Sequence, residues 1–145
     1  MILELLATLC AGLFAGASIY ISLVEHPARI ECGTEIAAKE FGPSYRRSAV
    51  MQASLAAFGF VAAMGTVLYE PALMVLLGGL LLGSIIPFTL FVILPTNNRL
   101  LDPALDRRSP EAASLLQRWG RLHAVRSVAG GLAFGLLLWN LMERC

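Results

Sequence analysis

Four long apolar runs constrain the fold of this chain more than any other feature of its sequence. They cover residues 2–24, 49–69, 72–94 and 124–142. A helix that crosses a bilayer needs about 20 mostly apolar residues, and an isolated strand cannot satisfy its backbone hydrogen bonds in lipid. The runs therefore predict an all-α integral membrane protein that folds as an antiparallel four-helix bundle.

The composition supports a membrane domain and excludes several other classes. Hydrophobic residues make up 57% of the 145 residues and charged residues 14%, against roughly 45–50% and 25% in soluble domains. A soluble domain this small could not cover so much apolar surface, so residues 1–145 are predicted to form a single membrane domain. The net charge of +1 and the absence of a basic run argue against binding to nucleic acid. Cys10, Cys32 and Cys145 have no C-x-x-C spacing, so no disulfide framework is expected.

The basic residues predict how the spans are oriented. The polar links 25–48 and 95–123, with their edges, contain ten of the eleven Lys and Arg residues, and only Arg144 lies at the opposite face. Positive residues are enriched in cytoplasmic loops. We therefore expect a multi-pass protein of the cell membrane, with both links in the cytoplasm and both termini outside.

Small residues four positions apart predict close helix packing. Three G-x-x-x-G pairs occur within apolar runs, and the second run has a similar series of small residues. The pairs are Gly12 with Gly16, Gly79 with Gly83, and Gly131 with Gly135, and the series is Ala53, Ala57, Gly59 and Ala63. Such residues let helix backbones approach each other in lipid. We expect these faces to contact neighbouring helices, and a homo-oligomer formed through one of them is an open alternative.

The two polar links carry helix signals of their own. Ser109, Pro110 and Glu111 form a typical helix start, and no later proline interrupts the chain, so a helix of some 30 residues is predicted to include the fourth span. Within residues 27–41 the apolar spacing predicts a short amphipathic helix at the membrane interface. Gly42 and Pro43 are expected to end that helix before the second span.

Polar residues concentrate at the cytoplasmic ends of all four spans. Trp119, His123 and Arg126 are spaced i, i+4 and i+7, so they share one helix face. Since a bundle brings such ends together, we expect one pocket there, formed by His26, Arg46, Gln52, Asn97, Trp119, His123 and Arg126. In the competing interpretation the arginines extend to lipid head groups and the histidines bond to loop carbonyls.

The motifs of common cofactor and metal sites are missing from the sequence. It contains no G-x-G-x-x-G, no G-x-x-x-x-G-K-[ST], no G-x-S-x-G and no H-E-x-x-H, each of which marks a defined chemistry. No organic cofactor is therefore predicted. His26 and His123 are the only two histidines, and a metal or haem held by them is not excluded, although zinc and copper sites usually have three or more protein ligands.

The order and spacing of these features resemble a family of small four-helix membrane proteins that includes the anthrone oxygenases. The matching features are the glycine-rich first span ending in Glu25-His26-Pro27, the stretch from Phe41 through Tyr45-Arg46 to Gln52, Pro95-Thr96-Asn97-Asn98, and Trp119 with Leu122-His123 and Arg126. The resemblance implies a membrane-embedded oxygenase that uses O2 as a co-substrate and oxidises an apolar, anthrone-type polycyclic aromatic compound by proton abstraction and enolate oxidation.

The resemblance also suggests roles for the polar residues. His26 or His123 would be the base, and Arg46 or Arg126, with Asn97 or Gln52, would hold the enolate oxygen. Tyr45 and Trp119 would stack on the substrate rings. Two alternatives stay open: a non-enzymatic membrane protein, such as a lipid or quinone binder, a transporter or an accessory subunit, and a metal- or haem-dependent oxidoreductase that uses both histidines.

Overall fold

Each predicted span lies within one long helix of the computed structural model, which describes residues 1–144, except that Ala72 precedes the third helix by one residue. The helices are α1 (Ile2–Glu31), α2 (Thr34–Tyr69), α3 (Leu73–Leu100) and α4 (Pro110–Glu143). All four are long and apolar enough to cross a membrane. The prediction of an all-α four-helix bundle is confirmed. Cys10 and Cys32 are unpaired within the described residues, and Cys145 lies outside them.

The helices pack as a square in which neighbours run antiparallel. Both α1 and α3 pack against α2 and α4, whereas α1 and α3 barely touch across the diagonal. We name the end of the bundle where α1 and α3 finish the polar end. A core cluster that includes Phe14, Leu82 and Leu137 fills the rest of the bundle, and a second cluster around Phe41 and Trp119 fills the polar end.

The predicted boundary at Gly42 and Pro43 is wrong, because α2 continues through it. Pro43 lies inside α2, although proline removes one backbone hydrogen bond and usually breaks a helix. Phe41 is fully buried in the cluster with Trp119, and this burial outweighs the lost bond. The separate amphipathic helix over 27–41 is therefore absent. Its residues are divided between α1 and α2 at a turn where Gly33 has a φ of 91°.

Two π-helical turns interrupt α1 and α3 where these helices approach the polar end. They cover Ile21–Glu25 and Thr89–Ile93, and each ends two residues before a proline, Pro27 or Pro95. A proline has no N–H to bond to the carbonyl four residues earlier, and a widened turn accommodates this loss without ending the helix. As a result α1 extends beyond the predicted span, and the side chains after each turn are rotated relative to a regular helix.

The predicted start of α4 is confirmed. Ser109 caps the helix, because its Oγ accepts a hydrogen bond from the backbone N–H of Ala112 at 3.1 Å. Pro110 occupies the first helical position and needs no partner for the N–H that it lacks. From there α4 runs without interruption for 34 residues, so its first turns extend beyond the apolar run and place Trp119 beside the ends of α1 and α2.

The glycine prediction is correct for some pairs and wrong for others. A Cβ on Gly12, Gly79 or Gly83 would come within 3.0 Å of a neighbouring helix, whereas Gly16 and Gly135 have nothing within 4 Å. Gly131 meets only Ile19, at 4.0 Å. The closest approaches in α4 are instead made by Gly120 and Gly130, because a four-residue spacing alone does not determine which face of the helix points inward.

The opposite end of the bundle contains a buried acid that links the first and last helices. Glu4 is fully buried, and its Oε1 accepts a hydrogen bond from Asn140 Nδ2 at 2.6 Å. Arg144 lies 3.3 Å from Glu4 Oε2 and also donates to Glu70, which lowers the pKa of that exposed carboxyl. Glu4 thus joins α1 to α4 at this end.

Candidate functional site

A cavity of about 180 Å³ lies between α2, α3 and α4 at the polar end. Its lining side chains are Tyr45, Ser48, Ala49, Gln52, Ala53, Ala56, Ile85, Ile86, Thr89, Leu90, Leu94, Asn97, Trp119, His123 and Arg126. Most of this wall is apolar, and the polar groups converge on it from all three helices. Because an apolar cavity of roughly 150 Å³ admits benzene, an aromatic ring fits this space.

A half-buried cation, Arg126, forms one polar edge of the cavity. Its Nη2 donates to Gln52 Oε1 at 2.9 Å, and its guanidinium carbon lies 5.5 Å from the centre of the Phe14 ring. Arg126 belongs to none of the ion pairs found among residues 1–144. Its Nε is buried without a hydrogen-bond partner among the described residues, and a charged group shielded from water is costly unless it is paired or hydrogen-bonded. This edge is therefore suited to a ligand oxygen that carries negative charge.

His123 adjoins the cavity and is held by groups on α1 and α4. Ser22 Oγ lies 3.0 Å from His123 Nδ1 and 2.8 Å from Ser127 Oγ. The imidazole stacks on the Trp119 indole with a centroid distance of 4.7 Å and an interplanar angle of 25°. Because Nδ1 is engaged by Ser22, Nε2 is the nitrogen left for a ligand in the cavity.

Trp119 is the centre of an aromatic cluster beside the cavity. Its ring lies 5.1 Å from His26 and 5.3 Å from Phe41, the latter edge-on. Phe41 in turn stacks on Tyr45 at 5.7 Å with nearly parallel planes. These contacts fix the indole from several sides, and with Tyr45 they give the cavity a flat aromatic wall.

Three cavity residues carry buried polar atoms without a hydrogen-bond partner in the described chain. These atoms are Asn97 Oδ1, Gln52 Nε2 and Arg126 Nε. Buried polar groups in folded proteins are nearly always bonded to protein, water or ligand. Two unpaired donors and one unpaired acceptor around one apolar space are therefore typical of a site that binds a partly polar molecule.

The structure brings together six of the eight residues predicted for the site. They are Tyr45, Gln52, Asn97, Trp119, His123 and Arg126. Arg46 does not join them, because its side chain is exposed outside the cavity. His26 also lies elsewhere: it lines an open groove with Ser22 and Gly120, and a Cβ on Gly120 would come within 2.5 Å of its Nε2.

The two histidines do not share a metal site within residues 1–144. His123 faces the cavity, whereas His26 lines the separate groove. The described residues contain no group of three or more His, Cys, Asp and Glu side chains that could hold a metal ion. The described residues therefore offer no site of the three-ligand kind that zinc and copper usually occupy.

A cluster of charged residues between α1 and α2 supports the aromatic cluster from behind. Arg29 is buried, pairs with Glu40 at 2.7 Å through Nε and donates to Glu25. Its guanidinium carbon lies 5.7 Å from the centre of the Trp119 ring, and Ser44 Oγ donates to Glu25 Oε1 at 2.6 Å. Glu25 is therefore a paired group that helps to fix Trp119.

Sequence analysis missed three serines that contact the site. Ser18 Oγ lies 3.4 Å from Gln52 Oε1, and Ser22 and Ser127 contact His123 and each other. The signal was present in their spacing: Ser18 and Ser22 are i, i+4 in an apolar run, and Ser127 follows His123 by four residues. Polar residues on one face of a span normally point into the bundle.

Comparison with known families matches the chain to one of them. The family model described as anthrone oxygenase matches residues 41–136. This range is about two thirds of the chain and includes every residue that lines the cavity. The searches of curated proteins and of solved structures gave no match.

Proposed function

The chain belongs to the anthrone oxygenase family, and from this premise we propose that it is a membrane-embedded oxygenase that converts an anthrone-type substrate into a quinone with O2. The observation that carries the proposal is the apolar cavity, which a half-buried cation and a buried histidine line together. No organic cofactor is required by the reaction we propose, and O2 is the co-substrate.

The proposed reaction begins with an acidic C–H group. An anthrone has a CH2 between two aromatic rings and opposite a ketone, so loss of one proton gives a delocalised enolate. The enolate transfers one electron to O2, and the two radicals combine to form a carbon–oxygen bond. Protonation gives a hydroperoxide, which loses water to leave a carbonyl. The net change is CH2 plus O2 to C=O plus H2O.

His123 is the base that the geometry favours. Its ring lines the cavity, and Nδ1 is engaged by Ser22 at 3.0 Å, so Nε2 can take the proton from the substrate. A positioned histidine is the side chain that most often acts as a general base in enzymes. Once the peroxide has formed, the same nitrogen can return the proton to it, which restores the resting state.

Arg126 and Gln52 would hold the enolate oxygen. Among residues 1–144, Arg126 supplies a positive charge that is paired with no carboxylate, and Gln52 Nε2 is a buried donor without a partner. Fixed donors directed at developing negative charge stabilise the transition state strongly when water is excluded. Asn97 Oδ1 is an acceptor, so it would bind a hydroxyl group on the substrate.

The apolar walls would bind the rings and keep water away from the enolate. Tyr45 and Trp119 offer aromatic faces, and Ile85, Ile86 and Leu90 cover the side formed by α3. Water would protonate the enolate again before it reacts with O2, so its exclusion favours oxidation. A polycyclic substrate dissolves in lipid, and we propose that it enters from the bilayer.

The experiment that tests the function is turnover of an anthrone by the purified protein in detergent. We expect O2 to be consumed and quinone to form in equal amounts, faster than in protein-free detergent. His123→Gln should lower the rate by about 10²-fold or more, the usual contribution of a base. His26→Gln, which replaces the histidine outside the cavity, should have a much smaller effect.

Two outcomes would contradict the proposal. If the protein binds an anthrone but never accelerates quinone formation, it is a binding protein for aromatic or quinone-like molecules. If His26→Gln abolishes turnover while His123→Gln does not, the base is in the groove between α1 and α4, and the cavity is not the reaction site.

A further inference from the structure

Two serine hydroxyls form a hydrogen-bonded chain behind His123. Ser22 Oγ lies 3.0 Å from His123 Nδ1 and 2.8 Å from Ser127 Oγ. Ser127 Oγ then reaches the backbone carbonyl of Ser18 at 2.9 Å and that of His123 at 3.2 Å. The chain therefore runs from an imidazole nitrogen through two hydroxyls to carbonyl oxygens.

The protons on this chain can be assigned from its ends. A carbonyl only accepts, and a hydroxyl has one proton to donate, so Ser127 donates to a carbonyl. Ser127 must then accept from Ser22 across their 2.8 Å contact. With its only proton used, Ser22 accepts from His123, and Nδ1 must carry a hydrogen.

The reverse direction leaves a contact unsatisfied. If Ser22 donated to Nδ1, Ser127 would have to donate either to Ser22 or to a carbonyl. The first choice leaves the 2.9 Å contact with the Ser18 carbonyl without a proton, and the second places two oxygen lone pairs 2.8 Å apart. Either arrangement leaves two oxygen atoms within hydrogen-bond distance with no proton between them, whereas donation from Nδ1 through Ser22 to Ser127 supplies a proton to the 3.0, 2.8 and 2.9 Å contacts.

We infer that Ser22 and Ser127 hold neutral His123 in the tautomer with the proton on Nδ1, so that Nε2 faces the cavity as an unprotonated base. The inference rests on the proposed function for its purpose, but the tautomer itself can be measured without turnover. Ser22 and Ser127 are positioning residues, because they act through His123 and do not line the cavity.

Nitrogen-15 NMR of histidine-labelled protein in detergent tests the tautomer directly. At about pH 8, above the usual range for imidazole titration, a protonated and an unprotonated ring nitrogen give well-separated shifts. The signals that remain in His26→Gln protein belong to His123. We expect Nδ1 to be protonated and Nε2 unprotonated. A protonated Nε2, or an even mixture of tautomers, would overturn the inference.

Removal of Ser127 should reverse the tautomer. In Ser127→Ala the proton of Ser22 loses its acceptor and turns toward His123 Nδ1, which moves the imidazole hydrogen to Nε2. Anthrone turnover should then fall by about tenfold, a part of the roughly 10²–10⁴-fold contribution of a base. Ser22→Ala should give mixed tautomers, and Ser22→Thr, which keeps the hydroxyl, should restore the parent pattern.

The control is Ser84→Ala, which removes an exposed hydroxyl that bonds within its own helix to Leu81. It should change neither the tautomer nor the rate. If Ser127→Ala lowers turnover while the His123 shifts stay unchanged, the serines act only on structure and the inference fails. If the parent tautomer is as stated but no anthrone is oxidised, the inference stands and the proposed function fails.

Discussion

The surroundings of Arg126 differ from those of the other arginines near the ends of the spans. Most arginines near the ends of the spans are exposed, among them Arg46, Arg47 and Arg118. Arg126 instead lies between the helices, where it donates to Gln52 and packs over Phe14. A guanidinium in such a site keeps its charge and interacts strongly with an anion, because little water screens it.

Arg126→Met should lower anthrone turnover by about 10²-fold, since one donor to a developing oxyanion contributes on that scale. Methionine keeps much of the length and apolar volume of the side chain, so the cavity should persist. Arg118→Met changes an exposed arginine of the same helix and serves as the control. Steady-state rates of quinone formation compare the two variants with the parent protein. Equal rates for the two variants would exclude a role for Arg126 in the reaction.

At the scale of the helix, two prolines shape the site without ending the elements that contain them. Pro27 and Pro95 each follow a π-helical turn; His26 comes directly after the first turn, and Asn97 lies four residues after the end of the second. Such turns are common at functional sites because they re-aim side chains. The glycines act differently, since they set how closely two helices approach.

Two adjacent glycines of α4 provide a matched test of the packing. A Cβ on Gly130 would lie 2.8 Å from the buried Phe14 ring, whereas one on Gly131 meets only Ile19 at 4.0 Å. Gly130→Ala should destabilise the bundle by about 1–3 kcal/mol through overpacking. Gly131→Ala should be neutral or stabilising by up to about 1 kcal/mol, because alanine favours a helix.

Thermal unfolding in detergent compares the two alanine variants with the parent. We expect a lower melting temperature for Gly130→Ala and an equal or higher one for Gly131→Ala. If Gly131→Ala is the less stable variant, the rotation of α4 described here is incorrect.

At the scale of the whole molecule, the two ends of the bundle use buried polar groups for different purposes. At the polar end, several such groups lack partners within the described chain and surround a cavity. At the opposite end, Glu4 is bonded to Asn140 and lies near Arg144, which connects the first helix to the last. The first arrangement suits a ligand, and the second suits stability.

Asn140→Ala should destabilise the protein by about 1–3 kcal/mol, because it removes a hydrogen-bond donor from the buried Glu4 carboxylate. Asn98→Ala, at an exposed position, should change stability by no more than about 0.5 kcal/mol. In the double variant Glu4→Met with Asn140→Leu, both polar partners become apolar, and most of the loss should be recovered. Melting temperatures in detergent measure these differences in stability. If Asn140→Ala melts at the same temperature as the parent, the contact between Asn140 and Glu4 contributes nothing to stability.

The distribution of basic residues predicts the orientation of the whole bundle. A topology reporter inserted in the link 101–109 should be active in the cytoplasm, and the same reporter at the C-terminus should be active outside it. Ten of the eleven basic residues lie at the polar end or its edges, and positive residues are retained on the cytoplasmic side. The opposite pattern of reporter activity would place the site at the outer face.

Sequence alone determined the number of helices, the start of α4 and the level at which the polar residues meet. These features depend on local quantities: the length of an apolar run, the capping of α4 by Ser109, and the i, i+4, i+7 spacing of Trp119, His123 and Arg126. The family resemblance, which also rested on order and spacing, was confirmed by the match over residues 41–136.

Only the tertiary structure decided which residues share the cavity. The sequence did not distinguish His26 from His123 as a residue of the site. In the structure, the packing of α1 against Gly120 directs His26 to an outer groove. The continuity of α2 through Pro43 and the inward rotation of Gly130 rather than Gly131 were likewise fixed by contacts between helices. Helix periodicity specifies which residues share a face, but the burial of side chains from neighbouring helices selects the face that turns inward.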